Sequence, residues 1–228
     1  MKNRAPCPLK INTVLYYLKL DLWFYYGKMK KDWGVFWRFR AFIVFSLSGG
    51  CKNMAIVSVV MGSDSDLPVM SLCLNALEKF QIPFEVQISS AHRVPEETAE
   101  FARRAAGRGI EVIVAGAGGA AHLAGVIAAL TPLPVIAVPI SSSPLGGIDA
   151  LYAMVQMPRG IPVATVAVDG AYNAGLLAAQ ICAVKEPALR IKIADYKNEL
   201  ARGVREKNEK LQKSGYRQYL QYLQKNRP

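Results

Sequence analysis

From Ala55 onward, short predominantly apolar runs alternate with stretches whose apolar residues recur at helical spacing. The run from Ala55 to Met61, apolar but for Ser58 and closed by Gly62, has the character of a strand covered on both faces. Residues 66–80 then place Val69, Leu72, Cys73, Ala76, Leu77 and Phe80 three and four positions apart, which predicts a helix with one buried face. The same rhythm predicts further strands over 84–88, 111–115, 134–139 and 163–168. It predicts further helices over 95–107, up to 129, over 148–156 and over 172–183.

Strands that alternate with helices in this way build a parallel sheet, so the expected fold is α/β: a three-layer, flavodoxin-like parallel sheet with helices on both faces. Ligands of such folds sit where the strands end. The expected strand ends are polar and glycine-rich: Gly62-Ser63-Asp64-Ser65-Asp66, Ser89-Ser90-Ala91-His92-Arg93, Gly116-Ala117-Gly118-Gly119-Ala120-Ala121-His122 and Ser141-Ser142-Ser143-Pro144-Leu145-Gly146-Gly147. Both histidines of the chain fall in these segments.

Composition agrees with a globular body. Of 228 residues, 52% are hydrophobic and 20% charged, which excludes a disordered chain. Cys7, Cys51, Cys73 and Cys182 are scattered with no Cys-x-x-Cys pair, which argues against a zinc ribbon, a disulfide scaffold or a thioredoxin-type motif. The net charge of +11 is uneven: residues 1–53 carry 10 Lys/Arg against 2 Asp/Glu, and residues 197–228 carry 9 against 3. The body between them is slightly acidic, so nucleic-acid binding is not expected, and the basic end reads as a solvated helix.

The expected organisation is therefore an atypical basic, aromatic extension over 1–53, a domain over 54–200 and a basic helical tail over 201–228 with Leu211, Tyr216, Tyr219, Leu220 and Leu223 on one side. The extension holds all three tryptophans, yet Lys19, Asp21, Lys28, Lys30, Lys31, Asp32, Arg38 and Arg40 keep its apolar runs below the roughly 20 residues of a membrane span. A lipoprotein signal ending at Cys51 fits poorly, because Ser48 stands where leucine is preferred. Met54 is the expected start of the native chain, since the first strand begins immediately after it.

The loop residues point to chemistry on a small anion. Gly62-Ser63-x-Ser65-Asp66 at a strand-to-helix turn offers hydroxyls and free N–H groups to a phosphate or sugar, or else caps the helix. Gly116-x-Gly118-Gly119 lacks the spacing of a dinucleotide fingerprint and serves either close backbone approach to a ligand or a tight turn. His92 can deliver and remove a proton near neutrality while Arg93 holds an anion through its planar fork; an ordinary surface histidine is the other reading. His122 suits an orienting role. Two histidines with no acidic cluster are too few for a metal site, and no nucleophile elbow is present.

Gly62 to Asp66, Ser90-Ala91-His92-Arg93, Gly116 to Leu123 and Gln156-Met157-Pro158-Arg159-Gly160-Ile161-Pro162-Val163, in that order from about Ala55 to Leu200, resemble the 5-(carboxyamino)imidazole ribonucleotide mutases of bacterial purine biosynthesis. The resemblance implies a cytoplasmic isomerase, free of cofactor and metal, that converts 5-carboxyaminoimidazole ribonucleotide to 5-amino-1-(5-phosphoribosyl)imidazole-4-carboxylate by decarboxylation and recarboxylation. It implies that His92 shuttles the proton, that Ser63, Asp66 and Arg93 hold ribose and phosphate, and that Ser90, Gly118, Gly119 and His122 line the pocket. It further implies a homo-octamer that takes its labile substrate from an ATP-dependent synthetase, with no nucleic-acid or membrane partner. Arg93 and His122 favour the mutase over a direct carboxylase of the same fold. A non-catalytic nucleotide-binding module is the rival from another class.

Overall fold

The computed structural model describes residues 56–226, so the expectations about residues 1–53 lie outside the described residues. The elements are β1 (Val57–Met61), a single 3-10 turn (Asp64–Asp66), α1 (Leu67–Lys79), β2 (Phe84–Ile88), α2 (Pro95–Ala105), β3 (Val112–Gly118), α3 (Leu123–Leu130), β4 (Val135–Ile140), α4 (Ile148–Val155), β5 (Ala164–Thr165), α5 (Ala171–Cys182) and α6 (Pro187–Lys225), with a second 3-10 turn, Ala106–Arg108, after α2. All strands pair in parallel in the order β2-β1-β3-β4-β5. This is the flavodoxin-like order, with the reversal point between β1 and β3.

The pleat of the strands explains the three layers. Val57, Val59 and Met61 point to one face, where α1, α5 and the start of α6 contribute Met70, Cys73, Leu77, Ala174, Ala178 and Leu189. Val60 points to the other face, where α2, α3 and α4 contribute Ala102, Ala105, Ile127, Ala150 and Met154. Ser58, fully buried, donates its hydroxyl to Glu85 Oε1 at 3.0 Å, so its polarity is satisfied inside the sheet. The free thiols of Cys73 and Cys182 are buried here, and burial pushes them up to about 12 and about 11, which makes them inert.

Three elements depart from expectation. The fifth strand, expected over six residues, forms ladder pairs only at Ala164–Thr165. Pro139 of β4 accepts from Asp169 N at 2.9 Å but has no N–H to return, so the β4–β5 ladder cannot continue past it. The third strand runs beyond the expected Ala115 through Gly116, Ala117 and Gly118, which pair with Val138, Pro139 and Ile140. The first half of the glycine-rich segment is thus sheet rather than loop. Finally, α6 runs without interruption across position 200, and Gly215, at φ 73° and ψ 156°, breaks its geometry. The single stripe expected from Leu211 to Leu223 is therefore divided there.

No helix among the described residues is long and apolar enough to cross a membrane. The packing of α5 on α1 depends on small residues: Ala171, Ala174, Gly175, Ala178, Ala179 and Cys182 follow helical spacing along one buried face. A Cβ at Gly175 would stand 2.7 Å from Cys73 O and 2.8 Å from Ala76 Cβ. Alanine is the better helix former by about 1 kcal/mol, but the backbone carbonyl cannot step aside. Gly175→Ala is expected to lose about 1–3 kcal/mol of stability, measured by urea unfolding; an unchanged or raised midpoint would contradict this packing.

Candidate active site

The cleft opens at the carboxyl edge of the sheet, over the β1–β3 reversal. It has a volume of about 380 Å³, within the range of small-ligand sites. Ser63 and Asp66 enter it after β1, Ser90, His92 and Arg93 after β2, Gly118 and His122 from the end of β3, and Ser142 after β4.

After β1, Ser63 is the residue that caps the turn, and Asp66 reaches back to it. Ser65 N donates to Ser63 Oγ at 3.3 Å, and Ser63 N donates to Asp66 Oδ2 at 3.0 Å, a reciprocal capping box. Capping and ligand contact were alternatives in the sequence; here Ser63 and Asp66 cap and also face the cleft. Asp66 is only 4% exposed. Burial pushes its carboxyl above its ordinary value and the Asp64 charge adds to this, while the N–H groups of Ser63 and Gly62 and the Arg93 guanidinium pull downward without cancelling it.

After β2, one helical turn presents His92 and Arg93. Arg93 Nη2 donates to Gly62 O at 3.0 Å and its Nε donates to Ser90 Oγ at 3.3 Å, which ties the second loop to the first. Among the described residues Nη1 has no protein acceptor, so one arm of the fork is free for an anion.

His92 Nε2 lies 2.9 Å from His122 Nδ1, with the rings edge to face at 85°. Whichever ring donates, one proton lies between them. His122 occupies the position before the first residue of α3 without a capping side-chain bond, directly after Ala121, whose φ of 43° places a non-glycine residue in the left-handed region. Such a conformation costs on the order of 1–3 kcal/mol and is held by the surrounding structure, here by burial of the Ala121 side chain.

Glycine in β3 is a matter of space. A Cβ at Gly116 would collide with the Met70 side chain, and one at Gly118 with Ser142 Oγ. Gly119, at φ 60°, turns the chain and is not among the cleft-lining residues. Ser142 does line the cleft and was not singled out from the sequence; three consecutive serines at the end of a strand were its signal. Its neighbour Ser141 donates N–H to Asp169 Oδ1 at 3.0 Å and its hydroxyl to Oδ2, and this holds the β4 loop. Gln156–Val163 lies between α4 and β5 and lines no part of this cleft. Among the described residues no three His, Cys, Asp or Glu side chains form a group that could hold a metal ion.

Residues 56–203 match the family described as AIRC, AIR carboxylase. This chain belongs to the AIR carboxylase family. The N5-carboxyaminoimidazole ribonucleotide mutase of Pyrococcus horikoshii is 54% identical over 165 residues, covering 72% of this chain and 93% of the relative. The enzyme of the same name from Thermotoga maritima is 53% identical over 167 residues, covering 73% and 98%. In structure, Treponema denticola PurE is similar at a TM-score of 0.63 and 28% identity, covering 68% of this chain and 97% of that one. The family resemblance read from the motifs is thus borne out, and the family's matched segment coincides with the sheet and the helices that carry the cleft.

Because folding raises the Asp66 value, protons bind the folded state more tightly than the unfolded one, and the charged form opposes folding above that value. The stability of Asp66→Asn relative to the parent is therefore expected to increase from acid to neutral pH, by about 1.4 kcal/mol for each unit of upward displacement. Urea unfolding across that range checks the sign; a difference that shrinks as pH rises would contradict it.

Proposed function

We propose that the chain is an N5-carboxyaminoimidazole ribonucleotide mutase of purine biosynthesis, with His92 as its proton carrier. The observation that carries this reading is the His92–His122 pair beside Arg93 and Asp66 in one cleft, in a chain of this family. Substrate and product are isomers, so the reaction consumes no oxidant, reductant or co-substrate. Protonated His92 gives its proton to the exocyclic nitrogen as the N–CO2 bond breaks, releasing carbon dioxide and the aminoimidazole. Ring carbon four attacks the carbon dioxide, a C–C bond forms, and neutral His92 removes the proton from that carbon, which restores its starting state. Carbon dioxide must recombine before it leaves, so fixed loops around the cleft serve the chemistry.

The remaining groups divide between grip and shape. The free arm of Arg93 suits the substrate phosphate, while Ser63 and the Asp66 carboxylate suit the ribose hydroxyls. Ser90, Gly118 and His122 form the wall around the imidazole, with Gly119 making the turn after β3 and His122 orienting His92. A homo-octamer in the cytoplasm, supplied by an ATP-dependent synthetase, completes the reading. The exposed apolar row Leu145, Ile148, Tyr152 and Val155 on and before α4 supports an assembly surface. Residues 54–200 are the catalytic domain in this reading, and 201–228 a basic helical tail.

Purified residues 54–228 are expected to convert carboxyaminoimidazole ribonucleotide without added bicarbonate, and His92→Asn to lose on the order of 10²–10⁴-fold in kcat. Dependence on added bicarbonate would point to the direct carboxylase instead. Retained turnover in His92→Asn would remove His92 from its role.

A further inference from the structure

The loop that carries His92 leaves the sheet at Ser89 and enters α2 after Val94, and a single buried hydroxyl joins its two ends. Thr98, on the first turns of α2, has 0% exposure; Ser89 has 3%. Thr98 Oγ1 donates to Val94 O at 2.9 Å and stands 2.7 Å from Ser89 Oγ. A threonine hydroxyl has one proton, so with that proton committed to Val94 O the Ser89 hydroxyl is the donor to Thr98. The result is a directed chain, Ser89 O–H to Thr98 O–H to Val94 carbonyl, whose Ser89–Thr98 bond is buried. Ser89 N in turn donates to Met61 O at 2.8 Å, so the chain is anchored to the end of β1 as well. A threonine bonded to the carbonyl four residues back is a common local habit of helices. The bond across to Ser89 is not local, since it bridges strand and helix around the catalytic loop.

We propose that Thr98 is a positioning residue for the reaction, acting through the Ser89–Thr98–Val94 hydrogen bonds to hold the His92 ring at hydrogen-bond distance from His122. The proposal rests on the reading of His92 as the proton carrier. The two functional side chains of the loop depend on this clip unequally. Arg93 is tied independently to Gly62 O after β1, so its grip on an anion survives a loosened loop. His92 is exposed, and its side-chain hydrogen bond is to His122, itself on a loop with a left-handed alanine. Loss of the clip therefore acts on proton transfer more than on substrate binding.

Thr98→Val keeps shape and volume but removes the hydroxyl and leaves Ser89 Oγ buried without its acceptor. Thr98→Ser keeps the hydroxyl. Steady-state kinetics of both, with Ser89→Ala and His92→Asn in parallel on carboxyaminoimidazole ribonucleotide, test the proposal. The expected result is a kcat lower by roughly tenfold or more in Thr98→Val with KM within about threefold of the parent, and kcat within about twofold of the parent in Thr98→Ser. Ser89→Ala, which breaks the same chain from the strand side, is expected to repeat the loss of kcat, and it decides the matter if Thr98→Val does not fold. Unchanged kcat in folded Thr98→Val, or a rise in KM alone, overturns the positioning role while an inactive His92→Asn leaves the proton-carrier reading standing. An active His92→Asn overturns that reading and the proposal with it.

Discussion

Parallel strands bring all their carboxyl ends to one edge, and between β1 and β3 the chain leaves that edge in opposite directions. The connection from β1 passes over one face through α1, and the connection from β3 passes over the other through α3. No helix among the described residues closes the gap between them, so a crevice is a geometric consequence of the strand order. Among the described residues, the candidate site groups are gathered around it. The buried Asp66, the free arm of Arg93 and the two rings of His92 and His122 come from three different loops, yet they share one opening.

Loops at a sheet edge are ordinarily the most mobile part of a domain. Here each is fastened to its neighbour. Arg93 holds the second loop to the Gly62 carbonyl of the first, the histidine pair holds the second to the third, and Asp169 holds the fourth through both polar groups of Ser141. Glycine at 116 and 118 lets Met70 and Ser142 press against the strand itself, so β3 is thin where its neighbours are thick. The left-handed residues Ala121 and Asp169 stand at the joints of this arrangement. Their strain is borne by a core in which sheet faces and helices interlock, as the tight approach of Gly175 to Cys73 illustrates.

Much of this was legible in the residues because the governing periodicities are strong. Buried parallel strands are mostly apolar runs, and α1 shows its core face in Cys73, Ala76, Leu77 and Phe80, although Leu72, expected on that face, is exposed. The loops were found because polar and glycine residues interrupt those runs. What was misread depends on partners distant in sequence. The shortness of β5 follows from a proline in β4, twenty-five residues earlier than Ala164. Gly116 to Gly118 looked like loop because glycine is poor in strands, yet Met70 and Ser142 require it there. Ser142 had only its place in a run of three serines and Thr98 had no signature at all; they acquire meaning when Gly118 and Ser89 arrive beside them.

The last helix behaves unlike the rest. Ile193 is the last of its buried residues, Tyr196 still packs edge-on against Phe80 and Glu199 pairs with Lys79, and about fifteen residues follow before Gly215 interrupts the rod. At the rise of an α-helix this is a strut of roughly 22 Å. Beyond it, glycine acts as a joint whose direction no side chain dictates. The molecule thus carries its own spacer: an affinity handle, fluorophore or surface linkage attached beyond Lys225 would stand off from the body by the length of that strut, and the crevice at the sheet edge would remain open to small molecules in an immobilised enzyme.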